Sequence, residues 1–223
     1  MPPMRRCFPV AIVVVLAAFR AIAGPNSGAE GLKAVEAEMS RFFERSGPKV
    51  GSPAPDFELE RARGGTLRAS DLWAKRPLVI VTGSYSCPQF RETTDGRAAL
   101  FWEFSDRVDF VVVYTQEAHS ADGSSPYSPV PFVPDENKAE GIAVPQPKTF
   151  AERIKLARQC RKNLKLVSDV AVDTMDNATW KKFGASPNFG CLIAPGGKVV
   201  LRQGLFNAEE MRAALVKLLS EGR

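Results

Sequence analysis

The residues best suited to do chemistry lie in the segment GSYSCPQFR, residues 83–91, where Cys87 stands between Ser86 and Pro88. The segment follows the apolar run PLVIV, so it predicts a strand, a turn and a helix that begins at Cys87 with proline as its first residue. Free backbone N–H groups and the positive end of the helix dipole favour thiolate over thiol. We therefore expect Cys87 to be a reactive thiol, more acidic than a free cysteine. The alternative is a buried, inert cysteine.

The other cysteines determine whether Cys87 would work alone. Phe90 occupies the position that would complete a CxxC pair. Cys160 lies near the apolar stripe of a predicted helix, and Cys191 alternates with apolar residues in a predicted strand, so we expect both in the core. A resolving role for either stays open. A single reactive cysteine implies an external thiol reductant. One histidine and no CxxC pair do not supply a structural zinc site, and no cofactor is expected.

His119 is the only histidine of the chain, and it follows the second apolar run, VDFVVVYT. Neighbouring parallel strands bring their carboxyl ends to one edge of a sheet, which predicts that His119 lies beside Cys87. There the imidazole could donate a proton or a hydrogen bond to a substrate. Glu117, two residues earlier, either orients the ring or is solvated.

The elements that position these residues follow from the apolar pattern. PLVIVTGS and VDFVVVYT predict two central strands, and FRETTDGRAALFWEFSD between them predicts one helix with a weak point at Gly96. Together they predict a βαβ unit with a parallel pair. An N-terminal hairpin turns at Gly64 and Gly65, and FGCLIAPGGKVVLRQG predicts a second hairpin. The fold class is therefore α/β.

Residues 1–23 combine two early arginines, an apolar run and a final AIA, which is the pattern of a secretory signal peptide. Cleavage after Ala23 would export the protein to the periplasm or the medium. Retention would leave an N-terminal membrane anchor, and membrane contact is expected only in that case. Residues 24–50 read as a linker and a helix, and residues 51–223 as the folded domain.

Two further features limit the range of functions. Lysines and arginines alternate with acids and form no patch interleaved with aromatic residues, so no nucleic-acid partner is expected. Residues 124–147 form a proline-rich stretch that is too long for an ordinary connection. Such a stretch is typical of a functional lid or of a disordered excursion.

The sequence resembles a known family in specific segments. APDFELERARGGTLRASDLWAKRPLVIV is similar to the opening of redoxins. RPLVIVTGSYSCPQF, FVVVYTQEAHSADG and VDTMDNATWKKFGASPNFGCLIAPGGKVVLRQG resemble the iodothyronine deiodinases. The resemblance covers residues 51–223 and implies a thioredoxin-like fold. It places Cys87 where that family carries its catalytic selenocysteine and His119 where it carries a histidine, with Glu117 beside it. Pro187 falls where thioredoxin-like folds carry a cis-proline against the reactive cysteine.

The sequence departs from that family in several places. Sulfur replaces selenium, which weakens the nucleophile for abstracting iodine. Tyr85 stands where the family often has another cysteine, and its second active-site histidine has no counterpart. The peroxiredoxin pattern also fits in part: Ser84 fills its Ser/Thr position, while Ile80 stands where its proline would be.

Three functions remain open from the sequence. The first is an exported, deiodinase-like thiol oxidoreductase that acts on a small molecule or a thiol/disulfide substrate. The second is a thiol-dependent peroxidase related to peroxiredoxins. The third is a redoxin-fold binding module whose cysteine is idle.

Overall fold

The computed structural model describes residues 41–125, 127 and 130–221. The predicted signal peptide or anchor, and the linker as far as residue 40, lie outside the described residues. Residues 41–45 are helical, and the Phe43 ring is buried in the core, so this segment contributes to the fold. In the part of the chain that is described, none of the helices has the length and apolar character needed to cross a membrane.

A seven-stranded mixed sheet organises the molecule, in the order β2-β1-β5-β4-β3-β6-β7. The strands are β1 (Glu58–Arg61), β2 (Thr66–Arg68), β3 (Leu78–Gly83), β4 (Asp109–Tyr114), β5 (Asp169–Val172), β6 (Gly190–Ile193) and β7 (Val199–Gln203). β3 runs parallel to β4, and β4 parallel to β5, whereas the other pairs are antiparallel. Every residue of β3 is buried, which suits a central strand covered on both faces. The predicted α/β class and parallel pair are confirmed.

Helices cover both faces of the sheet. They are α1 (Ala69–Trp73), α2 (Pro88–Glu92), α3 (Thr94–Phe104), α4 (Asp135–Ala139), α5 (Phe150–Asn163), α6 (Ala178–Phe183) and α7 (Ala208–Glu221). Residues of α2, α3, α5 and α7 share one apolar cluster with Cys87. Residues of α1 and α6 share a second cluster with Cys191. The sheet therefore separates Cys87 from Cys191.

The predicted N-terminal hairpin is present. β1 and β2 are antiparallel, and the chain reverses at Gly64 and Gly65, whose φ angles of 97° and 79° suit residues without a Cβ. β1 also pairs with β5, so the hairpin extends the sheet beyond its parallel strands.

The helix predicted between β3 and β4 is two helices, and the expected weak point at Gly96 is wrong. α2 ends at Glu92, and α3 begins at Thr94. Thr93 joins them, and its hydroxyl donates to the Gln89 carbonyl at 3.1 Å. Gly96 lies inside α3. A Cβ at this position would come within 2.9 Å of the Ala208 side chain on α7. Close helix packing, and no break, accounts for this glycine.

The proline-rich stretch contains a helix of its own, α4, which the sequence did not predict. Asn137 is the buried residue of this helix. Beyond it the chain is anchored by the buried side chains of Ile142 and Val144, and the Val144 carbonyl accepts a hydrogen bond from Ala121 at 2.9 Å. The stretch thus folds back over the carboxyl edge of β3 and β4.

Candidate active site

Cys87 lies where the sequence predicts it, between a central strand and a helix. β3 ends at Gly83, the chain turns, and Cys87 is the N-cap of α2 with Pro88 as the first helical residue. The turn is compact, since a Cβ on Gly83 would lie 2.0 Å from the Phe90 ring. Phe90 thus packs directly over the end of the strand and fixes the start of α2.

The expected acidity of Cys87 is wrong for the conformation described. Its side chain is buried, and burial raises the pKa of the thiol to about 11. Backbone hydrogen bonds from Phe90 and Gln89, and the charge of Arg91, lower the pKa, but they do not offset the loss of water. α2 has only five residues, so its dipole is small. The thiol is therefore protonated and sealed in this state.

The two serines that flank Tyr85 tie the Cys87 turn to the chain beyond β4. The Ser84 hydroxyl accepts a hydrogen bond from the Ala118 N–H at 3.1 Å. The Ser86 hydroxyl accepts one from the His119 N–H at 3.0 Å. Both supporting serines thus act on backbone geometry, and the turn carrying Cys87 is held in register with the turn carrying His119.

Glu117 neither orients His119 nor contacts solvent. Its carboxylate is fully buried and accepts hydrogen bonds from the Ser86 N–H at 2.8 Å and from the Tyr114 hydroxyl. Burial raises the pKa of this carboxyl, and the hydrogen bonds oppose the shift. Its negative charge in turn raises the pKa of Cys87. Glu117 is therefore an electrostatic neighbour of the thiol.

His119 is half-buried at the rim of the site. Its ring meets the Phe132 ring edge to face, with centroids 5.7 Å apart. Burial lowers the pKa of His119, the charge of Arg91 lowers it further, and Glu136 opposes both. The imidazole is neutral at neutral pH and retains one N–H donor.

Pro187 does not follow a cis peptide bond, which corrects the expectation drawn from thioredoxin-like folds. The described residues contain no cis peptide bonds. The preceding Ser186 carbonyl accepts hydrogen bonds from Thr82 at 3.1 Å and from the Trp180 indole at 2.8 Å, which holds the trans arrangement. The following Asn188 amide donates to the Gln89 carbonyl at 3.2 Å. This loop still contacts the helix that carries Cys87.

Comparison with known proteins identifies the family of this chain. The family model for iodothyronine deiodinase matches residues 27–219. This chain belongs to the iodothyronine deiodinase family. It is 34% identical over 159 residues to thyroxine 5-deiodinase of Gallus gallus, covering 70% of this chain and 56% of that protein. It is 29% identical over 161 residues to type II iodothyronine deiodinase of Neoceratodus forsteri, covering 65% and 57% respectively. The deiodinase-family chain thus spans about half the length of these relatives.

Solved structures identify the fold of this deiodinase-family chain. A putative thiol:disulfide interchange protein DsbE from Chlorobium tepidum superimposes with a TM-score of 0.54 at 16% identity, covering 77% of this chain and 98% of that one. The C-terminal domain of a putative thiol-disulfide oxidoreductase from Bacteroides thetaiotaomicron gives a TM-score of 0.55 at 12% identity, covering 78% and 97%. The thioredoxin-like fold is confirmed.

The two remaining described cysteines of the deiodinase-family chain are buried. Cys191 lies across the sheet from Cys87, and burial raises the pKa of Cys191 to about 12. Cys160 lies on the same face as Cys87, and burial raises its pKa still further. Asn163, three residues after Cys160, donates a 2.8 Å hydrogen bond to the Tyr85 hydroxyl, so this part of α5 contacts the Cys87 turn.

Four residues of the site went unpredicted from the sequence of this family member. Tyr114 is the last residue of β4, and its sequence position indicates only a core aromatic residue. In the structure its hydroxyl donates a hydrogen bond to Glu117. Tyr127 has its pKa raised by burial and by the nearby Cys87 thiol. Arg91 and Asn137 meet through a 2.8 Å hydrogen bond from α2 to α4. Only the position of Arg91, one helical turn after Cys87, could have indicated its place.

Proposed function

We propose that this deiodinase-family protein is an exported thiol oxidoreductase that uses Cys87 as its single nucleophile. Cys87 attacks an electrophilic atom of a small molecule or a disulfide, and an external thiol restores it. One observation carries the proposal: the hydrogen bond from the His119 N–H to the Ser86 hydroxyl holds the turns of Cys87 and His119 together. They meet at the carboxyl edge of parallel strands, where α/β proteins place their sites.

External thiols supply all the electrons that the proposed reaction needs. With an iodinated phenol, the Cys87 sulfur bonds to iodine, the carbon–iodine bond breaks, and the carbon takes a proton. An external thiol then attacks the sulfur and releases iodide, which leaves a mixed disulfide. A second thiol frees Cys87 and forms the external disulfide. With a peroxide, the oxygen–oxygen bond breaks instead, and the sulfenic acid that forms is reduced by the same two thiols.

The sealed thiol must be hydrated before it reacts. Burial is the main cause of the raised pKa of Cys87, so exposure of the turn to water favours the thiolate. Arg91 then remains as a nearby positive charge. Movement of α4 away from the Cys87 turn is therefore part of the proposed cycle.

His119 acts in this proposal as a hydrogen-bond donor to the substrate. Its pKa is lowered by burial and by Arg91, so the neutral ring is the working form. A neutral imidazole still donates one hydrogen bond, to a phenol or to the leaving atom. The edge-to-face contact with Phe132 orients the ring at the rim.

A substrate panel tests the proposal. The full chain is assayed with hydrogen peroxide, a small disulfide and 4-iodophenol, each with dithiothreitol as reductant. Cys87→Ser should abolish every thiol-dependent turnover found, whereas Cys191→Ser, on the other face of the sheet, should retain it. Turnover of peroxide alone would favour the peroxidase. Absence of turnover on all three would favour the idle binding module.

Export is a separate part of the proposal and rests on residues 1–23. Their basic, apolar and small-residue order is that of a cleavable signal. N-terminal sequencing of protein from the native host should find a chain that begins at Gly24. An intact Met1 in the membrane fraction would assign the segment as an anchor instead.

A further inference from the structure

Arg91 places a buried guanidinium beside the reactive cysteine. The Arg91 side chain is only 5% exposed. Its Nη1 donates to the Tyr85 carbonyl at 3.0 Å, and its Nη2 donates to the Asn137 side chain at 2.8 Å. Its charge is met by Glu140, whose two carboxylate oxygens accept from Nε at 3.0 Å and from Nη2 at 3.3 Å. Arg91 therefore holds a carboxylate in the two-pronged geometry that guanidinium favours.

The segment that supplies this carboxylate is attached mainly by polar contacts. Asn137 is the buried residue of α4, and its amide donates to the Ser86 carbonyl at 2.9 Å. Glu140 follows the helix, and its side chain is 53% exposed. Phe132, ahead of the helix, is 52% exposed. Apolar anchoring resumes at Ile142. A polar ligand can replace such contacts, whereas it could not replace a packed apolar face.

Arg91 also lies close to both candidate catalytic groups. Its charge lowers the pKa of the Cys87 thiol and that of the His119 imidazole. Because the Arg91 guanidinium also bonds the Tyr85 carbonyl of the Cys87 turn, a ligand anion held by Arg91 would bind at this turn. An aromatic part of the same ligand would meet Phe132 at the rim.

We propose that Arg91 is the binding site for an anionic group, a carboxylate or sulfonate, of the electrophilic substrate, and that Glu140 occupies this site in the sealed state. The inference rests on the proposed function, because it assumes that Cys87 receives a substrate. Arrival of the substrate anion displaces Glu140, frees α4 from Arg91, and exposes the thiol. Glu140 thus makes the release of α4 and the exposure of Cys87 selective for anionic ligands.

The test compares two reagents of similar size and different charge on the full chain. Iodoacetate and iodoacetamide both alkylate Cys87, since the thiolate sulfur bonds to the CH₂ carbon and iodide leaves. Glu140→Gln should raise the ratio of iodoacetate to iodoacetamide rates by about fivefold, the scale of a partly exposed ion pair. Arg91→Gln should lower the ratio below that of the wild type. Asp135→Asn removes one charge from the exposed side of α4 and should leave the ratio unchanged.

The outcomes separate this inference from the proposed function. An equal increase for both reagents in Glu140→Gln would mean that α4 opens but that Arg91 holds no anion. The same change in the rate ratio for Asp135→Asn would mean that the ratio depends on the net charge of the protein and not on Arg91. An unchanged ratio in every variant would also overturn the inference. None of these results bears on turnover, which the substrate panel measures. If Arg91→Gln fails to fold, Glu140→Gln and its control Asp135→Asn still test whether Arg91 binds an anion.

Discussion

The backbone N–H of His119 donates a hydrogen bond to the Ser86 hydroxyl across 3.0 Å, and this contact ties the turn that carries His119 to the turn that carries Cys87. Ser86 also presents its own N–H to the Glu117 carboxylate at 2.8 Å. Ser86, the residue before Cys87, thus holds both the histidine turn and the buried acid. Neither bond involves the imidazole ring or the thiol, so each can be tested by changes that leave the reacting groups intact.

Ser86→Ala should lower both stability and turnover. The change leaves the partly buried His119 N–H without its side-chain acceptor, which costs about 1 kcal/mol in the free energy of unfolding. Denaturant unfolding and the rate on the best panel substrate measure the two effects. Ser220→Ala, which removes an exposed hydroxyl on α7, is the matched control and should change neither. Wild-type turnover in Ser86→Ala would show that this bond does not position the site.

Glu117→Gln should lower the pKa of Cys87, because it removes a negative charge that raises that pKa. The pKa is read from the pH dependence of Cys87 alkylation, with fluorescence or circular dichroism confirming the fold. Glutamine keeps the acceptor for the Ser86 N–H. An unchanged alkylation profile in a folded variant would remove Glu117 from the electrostatics of the thiol.

Glu117 also makes stability depend on pH. Its pKa is raised in the folded state, so folding favours the protonated form. Its contribution is complete below the ordinary glutamate pKa and is lost as pH rises through the raised value. Asp173 is shifted in the same direction, so the difference between wild type and Glu117→Gln isolates the effect. The unfolding free energy of the wild type should fall more steeply with pH than that of the variant; parallel curves would contradict this.

His119→Ala should lower turnover by roughly 10²-fold, the scale of losing a catalytic hydrogen-bond or proton donor. Stability should change little, since alanine keeps the backbone N–H that bonds Ser86. Because burial and Arg91 lower the pKa of His119, wild-type activity should fall with acidification only below the ordinary histidine range. A reduced unfolding midpoint with unchanged rate per folded molecule would make His119 a structural residue.

Cys87 should be alkylated before Cys160 and Cys191. All three thiols are buried, but Cys87 caps α2 in a turn that Asn137 contacts through a hydrogen bond, whereas the others lie within an apolar helix face and a strand. The pKa of Cys87 is raised to about 11 and that of Cys191 to about 12. Peptide mapping after limited alkylation gives the order. First reaction at Cys160 or Cys191 would contradict the assignment of the nucleophile.

Local pattern predicts the sheet and the position of Cys87 well. The β-branched runs of β3 and β4 required burial on both faces, and Pro88 marked the helix start. Contacts distant in sequence could not be inferred in this way. The break between α2 and α3 falls at Thr93, and the turn that carries Cys87 is bonded through the Ser86 carbonyl to Asn137 of α4, some fifty residues away. Propensity carries no information about which loop covers which turn.

Trapping the intermediate on Cys87 tests the proposed thiol chemistry most directly. The full chain is treated with one equivalent of the electrophile found by the panel and then with a monothiol such as cysteamine, and the products are digested and mapped by mass. We expect a mixed disulfide between cysteamine and Cys87, with Cys160 and Cys191 still reduced. An internal disulfide between Cys87 and Cys160, or modification only elsewhere in the chain, would contradict a single nucleophile restored by an external thiol.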